Sequence, residues 1–237
     1  MNLKNKVAVI TGASSGLGVA IVTALVTKKV KVYGLARNKE RLIEIEQQLG
    51  PLFQPVPIDI TDRDKLTRWV VMEFDLNNPP DILINNAGVG SFGKIDEMPT
   101  EEWLAMVDVN IKGMYLMTST LTPYFKQNKS STHIINIGSI LGSTTRAGGT
   151  AYCATKYAVS GFSEALFKEL RSDNIKVTCV NPGSINTTFF ESSNIEAHEN
   201  MLDPQDLANT IVHILETPDN MLINEITIRP LDARKPN

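Results

Sequence analysis

The sequence predicts a doubly wound α/β sheet of about seven parallel strands with helices on both faces. Three observations carry that prediction. Short apolar runs alternate with longer helical patterns from end to end. The runs are rich in Val and Ile, as in strands buried on both faces of a parallel sheet. No internal repeat, low-complexity linker or break interrupts the βα rhythm, so residues 1–237 are expected to form one domain. Composition agrees, with 42% hydrophobic and 21% charged residues in 237. A disordered chain would be poorer in apolar residues and a collagen-like one far richer in Gly. A chain of this length can bury a large core without disulfides or a structural metal.

Each element follows in order. Residues 6–10 read as a buried strand, and 15 to about 29 carry apolar residues at helical spacing. A second strand at 30–35 leads into a helix at 39–49, and a third strand covers 53–60. Thr61-Asp62-Arg63-Asp64 supplies an N-cap and an acidic first turn for a helix at 66–74. A strand at 82–84 precedes one long helix from about 100 to 125. Then come a strand at 133–137, a helix at 151–171 and a strand at 175–180. Asp203-Pro204 is a cap followed by Pro at the first helical position, opening a helix through 215. Residues 224–228 close as the last strand. In such a sheet ligands are expected at the carboxyl ends of the strands.

Charge and cysteine content exclude several classes of function. Lys and Arg number 23 against 26 Asp and Glu, a net charge of −3, with an isoelectric point near 5.7. Neither nucleic acid nor an anionic membrane is an expected partner. Cys153 and Cys179 form no disulfide framework and no C-x-x-C pair. His133, His198 and His213 are scattered, so no metal is expected. The opening MNLKNKVAVITG runs straight into a strand, and no stretch is long enough to span a bilayer, so a cytoplasmic protein is expected. Glu101-Glu102 fits the first turn of a helix better than an acid–base pair. Trp69, Trp103 and Cys153 read as packing residues.

Chemistry enters at the first turn. Thr11-Gly12-Ala13-Ser14-Ser15-Gly16-Leu17-Gly18 lies between the first strand and the first helix. Glycines there permit a tight turn and let the backbone approach a pyrophosphate, with free N–H groups and a positive dipole end behind. The spacing is G-x-x-x-G-x-G rather than G-x-G-x-x-G, so the mechanism transfers while that fingerprint does not. A plain glycine-rich βα connection is the other reading. Enzymes that use NAD often carry an acid about 20 residues further on, for the ribose hydroxyl. Here the second strand ends Gly34-Leu35-Ala36-Arg37-Asn38, with no carboxylate and with Arg37 placed to meet a 2′-phosphate. NADP(H) is therefore the expected cofactor; the alternative is that Arg37, Lys39 and Arg41 form a solvated helix start.

A second cluster lies downstream. His133-Ile134-Ile135-Asn136-Ile137-Gly138-Ser139 ends a strand with an exposed Ser. Tyr152 and Lys156 follow at helical i and i+4, on one face. A free Tyr titrates near pH 10, too high for ready proton exchange at neutral pH. A cation about 4 Å away at an effective dielectric near 20 contributes roughly 4 kcal/mol, or about three pKa units. Lys156, helped by an oxidised nicotinamide, is thus expected to bring Tyr152 close to 7.

In order and spacing, the glycine turn, Asn85-Asn86-Ala87-Gly88, Ser139, Tyr152-x-x-x-Lys156 and Pro182-Gly183 resemble the short-chain dehydrogenase/reductase family, over nearly the whole chain. The resemblance implies a Rossmann-type fold and hydride transfer between NADP(H) and a small carbonyl or alcohol substrate. It implies that Tyr152 exchanges the proton, Ser139 hydrogen-bonds the substrate oxygen, and Lys156 lowers the Tyr pKa and holds the nicotinamide ribose. Asn110 resembles the family residue that bends a helix and anchors a relay water. Arg37 resembles the basic residue of NADP-preferring members. Asp59 and Ile60 would lie near the adenine and Asn86, Ala87 and Gly88 beside the adenosine ribose. Pro182, Gly183, Ile185 and Thr187 would lie by the carboxamide, and Gly12, Ser14, Ser15, Gly16, Leu17 and Gly18 around the pyrophosphate. The family also implies a homodimer or homotetramer, built through the helices at 100–125 and 151–171.

The substrate region is the least informative. Residues 184–203 are placed to form a lid, with Phe189 or Phe190 excluding water; the stretch also holds Ser192-Ser193 and His198, and a surface loop is the other reading. Thr145, Arg146 and Gly148-Gly149 would line the opposite side, where Arg146 could meet an acidic substrate. The carboxyl-terminal stretch Asn224-Glu225-Ile226-Thr227-Ile228-Arg229-Pro230 lacks the closing Asp-Gly-Gly of the oxoacyl-carrier-protein reductases. With Ala147-Gly148-Gly149, it is more similar to serine and 3-hydroxy-acid dehydrogenases. Two alternatives remain: a reductase of 3-oxoacyl thioesters, and a sensor that binds NADP(H) without turnover.

Overall fold

The computed structural model describes residues 1–189 and 200–231. Seven parallel strands form one sheet in the order β3-β2-β1-β4-β5-β6-β7. They are β1 (Val7–Thr11), β2 (Lys31–Ala36), β3 (Phe53–Pro57), β4 (Ile82–Asn85), β5 (Thr132–Ile137), β6 (Ile175–Pro182) and β7 (Glu225–Ile228). The helices are α1 (Gly16–Thr27), α2 (Lys39–Leu49), α3 (Arg63–Glu73), α4 (Thr100–Val107), α5 (Met114–Phe125), α6 (Thr150–Leu170) and α7 (Pro204–Glu216).

Strand side chains alternate between two apolar layers, as a pleated sheet requires. Ala8, Ile10, Ile82 and Ile84 join α1, α2 and α7 on one face. Val9, Leu83 and Ile134 join α3, α5 and α6 on the other. Both faces of the central strands are therefore buried, which is why β1, β2 and β4 read as apolar runs. The strand order reverses between β1 and β4, opening a crevice at their carboxyl ends where such sheets bind ligands.

Two expectations are corrected. The helix expected at 100–125 is interrupted by a π-helical segment, Asp108–Gly113. Asn110 lies within it and spends its side chain on other elements: Oδ1 accepts from Val89 N at 2.9 Å, and Nδ2 donates to Val89 O at 2.9 Å and Thr155 Oγ1 at 3.1 Å. Gly113 closes the segment where a Cβ would lie 2.7 Å from Ile60 Cδ1. Such single-turn widenings collect at functional sites. The third strand stops at Pro57 instead of reaching Ile60, because Asp59 Oδ1 accepts from Thr61 N at 2.9 Å and closes a turn. Elsewhere the boundaries shift by a residue or two, save that β6 runs on to Pro182 and α3 begins at Arg63 behind its Asp62 cap.

Among the described residues no helix is long and apolar enough to cross a membrane. Glu101 and Glu102 do lie in the first turn of α4. Trp69 packs edge-on to Tyr33 and Phe74.

Candidate active site

The glycine turn is held in place before any ligand arrives. Gly12 and Gly16 adopt φ of +68° and +49°, a backbone region that side chains disfavour. At Gly18 a Cβ would lie 2.0 Å from the carbonyl oxygen of Gly12, so only hydrogen fits there. Asn86 Nδ2 donates to Thr11 O and Gly12 O at 3.0 and 3.1 Å, while Thr11 Oγ1 accepts from Asn86 N and Ala87 N at 3.0 Å. The two loops at the crevice thus brace one another. Ser15 is the N-cap of α1 but makes no capping bond with its side chain, leaving the hydroxyl and the first N–H groups open. A cradle whose floor is glycine backbone, at a helix N-terminus, fits a phosphate-bearing group.

Next to this cradle, Ala13 N donates to Leu35 O at 3.1 Å, bringing the end of β2 alongside the turn. Arg37 follows directly, exposed, with no hydrogen bond or ion pair among the described residues. The end of β3 is tied in by Ile58 N, which donates to Ala36 O at 2.9 Å, and Asp59 lies just beyond.

A cavity of about 500 Å³ opens from the cradle toward β5, β6 and α6. Of the sequence-derived residues it brings together Gly12, Ser15, Gly16, Leu17, Gly18, Asn86, Ala87, Gly88, Ser139, Tyr152, Lys156, Pro182, Gly183, Ile185 and Thr187. Ser14, Arg37, Asp59, Ile60 and Asn110 do not line it. Asn110 stands behind the wall: a Cβ on Gly88 would lie 3.5 Å from its Oδ1 and 3.7 Å from Lys156 Nζ. Thr187 sits over the glycine turn, 3.0 Å from where a Gly16 Cβ would be. The segment expected as a lid is pinned at its base by Asn186 N donating to Leu202 O and Leu202 N to Ser184 O, both at 2.9 Å. Phe190, Ser192, Ser193 and His198 lie outside the described residues.

Ser139, Tyr152 and Lys156 share the deep end. Strand β5 delivers Ser139, whose backbone N donates to Asn181 Oδ1 at 3.2 Å and whose Oγ accepts from Leu141 N at 3.1 Å. One turn apart on α6, Lys156 Nζ lies 5.7 Å from the Tyr152 ring centroid and donates to Ile137 O at 3.0 Å. The Tyr152 ring packs between Phe92 and Phe189, at 5.0 and 6.0 Å between centroids. That burial works against the expected acidity. In the free protein the phenol is pushed above its ordinary pKa by desolvation, with a hydrogen bond to Ser139 acting against it. Lys156 is itself lowered to about 8, again by burial. The expected fall toward 7 placed a charged ammonium about 4 Å from the phenol; here the Nζ is drawn to the Ile137 carbonyl, and the apolar ring cage opposes the phenolate.

Several residues that build the site were not singled out from sequence. Gly90 lets Phe189 lie across Tyr152, since a Cβ there would come within 2.4 Å of Phe189 Cζ. Phe92 forms the other side of the cage. Asn181 is fully buried and braced by Glu225, whose Oε1 accepts from Asn181 Nδ2 at 2.7 Å. A polar residue at the carboxyl end of a strand, just before Pro182-Gly183, was the available signal for Asn181. Nothing local marked Gly90 or Phe92.

Comparison with known proteins follows from this geometry. Residues 6–198 match the family model described as short chain dehydrogenase. The chain belongs to that family. An uncharacterized oxidoreductase of Staphylococcus aureus strain MW2 is 38% identical over 231 residues, covering 97% of this chain and 99% of the relative. Among solved structures, a serine dehydrogenase in its closed form with NADP+ superposes with a TM-score of 0.87 at 30% identity, over 93% of each chain. A 3-ketoacyl-(acyl-carrier-protein) reductase from Brucella melitensis, complexed with NADH, gives a TM-score of 0.87 at 29% identity, over 97% of this short-chain dehydrogenase and 98% of that protein. The chain is thus an oxidoreductase of the short-chain dehydrogenase family.

Proposed function

We propose that this oxidoreductase interconverts a small carbonyl compound and its alcohol with NADP(H), using Tyr152 as general acid–base. The supporting observation is the convergence of Ser139, Tyr152 and Lys156 in one cavity continuous with the glycine cradle. When bound, the nicotinamide supplies the two-electron hydride chemistry.

Gly12, Ser14, Ser15, Gly16, Leu17 and Gly18 would hold the pyrophosphate, and Arg37 the 2′-phosphate. Asp59 and Ile60 would border the adenine, Asn86, Ala87 and Gly88 its ribose, and Pro182, Gly183, Ile185 and Thr187 the carboxamide. Choice of NADP over NAD rests on Arg37, unpaired among the described residues at the end of a strand that carries no acid, where a guanidinium suits a phosphate and a carboxylate would repel it. Relatives solved with NADP or an NADP derivative support the same choice, whereas the Brucella reductase was solved with NADH.

In the reducing direction, Ser139 Oγ holds the substrate oxygen and the Tyr152 phenol donates its proton to that oxygen. Burial keeps the proton on the phenol in the free protein, the required starting state. Lys156 faces the phenolate that remains and stabilises it. Phe92 and Phe189 exclude water from the proton transfer. Asn110 keeps the π-helical segment open behind Gly88 and Lys156, where a relay water would return the proton.

Tyr152→Phe removes only the phenolic hydroxyl. Followed by NADPH absorbance with a β-keto ester, an oxoacyl thioester, a dicarbonyl and a 3-oxo acid, it should cut turnover by about 10³-fold, within the range of general acid–base contributions. NADPH affinity should stay within about twofold, because the ring and its packing remain. Full retained activity would refute the role.

The outer faces of α4, α5 and α6 leave Leu104, Tyr115 and Tyr157 about half exposed. We infer that copies of the chain assemble as a dimer or tetramer through these helices; light scattering at the monomer mass of 26.1 kDa would refute it.

A further inference from the structure

We propose that the substrate carries a carboxylate and that Arg146 seats it. The inference rests on the function proposed above and names its substrate class. Among the described residues, Lys156 and Arg146 are the charged side chains lining the cavity, and no Asp or Glu lines it. Lys156 commits its ammonium to Ile137 O at 3.0 Å. The Arg146 guanidinium makes no hydrogen bond or ion pair among the described residues. Among the described residues, Arg146 is therefore the positive charge in the cavity whose donors are all unspent.

That charge is held in place by built contacts. The guanidinium lies over Phe92, 5.3 Å from the ring centroid. Its stem runs past Gly149, where a Cβ would come within 2.8 Å of Arg146 Cγ. Gly148 adopts φ +71°, and its carbonyl accepts from Gly93 N at 2.8 Å, tying the loop that carries Arg146 to the loop that carries Phe92. Stacking engages the flat face of a guanidinium and leaves its N–H edge free, the edge that forks onto a carboxylate.

The same ring that supports Arg146 also packs on Tyr152, at 5.0 Å between centroids. Guanidinium and phenol thus flank Phe92 at the substrate end of the cavity. A ligand with its oxygen at Ser139 and Tyr152 and its carboxylate on Arg146 needs only a short aliphatic spacer, lying along Phe92. A two-point grip of this kind fixes which carbon faces the nicotinamide, whereas an uncharged ligand is gripped at one end only.

The test uses the whole protein with NADP+ present and needs no turnover. Butyrate and butyramide, of the same size and differing in charge, are titrated and followed by NMR. Butyrate should bind roughly ten- to a hundredfold more tightly, as a charge-assisted fork does over a neutral contact. Arg146→Met, which keeps a stem on Phe92, should erase the difference, and Arg146→Lys should restore part of it. Equal binding in the native protein, or an undiminished preference in Arg146→Met, overturns the proposal. In parallel, 3-hydroxybutyrate and its methyl ester are compared as substrates, and the acid-to-ester ratio of kcat/KM should fall by a similar factor in Arg146→Met. Preferential butyrate binding without any turnover would keep the carboxylate seat while removing the redox reading; ketone reduction with no preference for the acid would do the reverse.

Discussion

The two ends of the cavity are built in different ways. The cradle end is backbone: Gly12, Gly16 and Gly18 form its floor, locked by bonds among Thr11, Gly12, Asn86 and Ala87. The substrate end is side chain: Tyr152 sits between two phenylalanines, with Ser139 and Arg146 at its edges. Backbone geometry permits few sequences, because a Cβ in the wrong place meets a carbonyl. Apolar cages accept many. The family's shared chemistry is therefore rigidly specified while its substrate is left free to vary.

The largest effect that would break this contrast comes from one methyl group. Gly18→Ala places a Cβ 2.0 Å from Gly12 O, a backbone atom that cannot move without opening the turn. NADPH affinity, measured by fluorescence titration, should fall by at least about 10²-fold, with a lower thermal midpoint. Unchanged affinity would mean that the cradle is not specified by its backbone. Phe92→Leu, by contrast, should leave NADPH affinity within about threefold and change turnover among substrates instead.

That asymmetry also accounts for what could be read from sequence. The central strands β1, β2 and β4 were legible because burial on both faces leaves an apolar run, and the cradle was legible because its glycines are compulsory. Tyr152 and Lys156 were legible by helical spacing. The helix interruption was legible only as the bend at Asn110 that the family resemblance implied; its partners, Val89 and Thr155, lie far away in the chain. The raised pKa of Tyr152 was not legible, since it depends on Phe92 and Phe189 arriving from two separate loops.

Lys156 stands where the two ends meet, and its titration sharpens the comparison. Its folded pKa is lowered to about 8 by burial, below the ordinary value near 10.4. A depressed folded pKa gives stability that is full above the unfolded pKa and lost as pH falls through the folded one. At pH 7 the protein therefore carries the cost of a buried ammonium, of order 3 kcal/mol by the linkage relation. Lys156→Met removes that cost while abolishing its polar role. Urea titrations should show the variant more stable than the native protein below pH 8, with the gap closing toward pH 10.5. A gap that does not depend on pH would show that burial leaves the lysine's pKa where it is in the unfolded chain.

Arg37 gives a smaller and more selective effect. It lies at the cradle end but acts through a charge, so substitution should not disturb the turn. Arg37→Ala should weaken NADPH binding by about ten- to a hundredfold and NADH binding by less than about twofold. Equal losses would assign the residue to the fold rather than to a phosphate.

The smallest effect belongs to a link that runs beneath the substrate end. Glu225 on β7 accepts from Asn181, and Asn181 Oδ1 accepts the backbone N–H of Ser139. A Cβ on Gly138 would lie 2.0 Å from that same Oδ1, so the strand end is already pressed onto Asn181. Glu225→Ala leaves Asn181 Nδ2 without its acceptor and gives the Asn181 amide freedom to rotate, which moves Ser139 by tenths of an ångström. Because Glu225 is exposed, water replaces much of the lost bond. Turnover should fall only about two- to fivefold, with NADPH affinity unchanged. Glu225→Gln, which keeps a carbonyl acceptor at the same reach, should restore most of the rate. An equal loss of rate in both variants would place the effect in the charge of Glu225, and a loss of NADPH affinity would place it in the sheet edge instead of in Ser139.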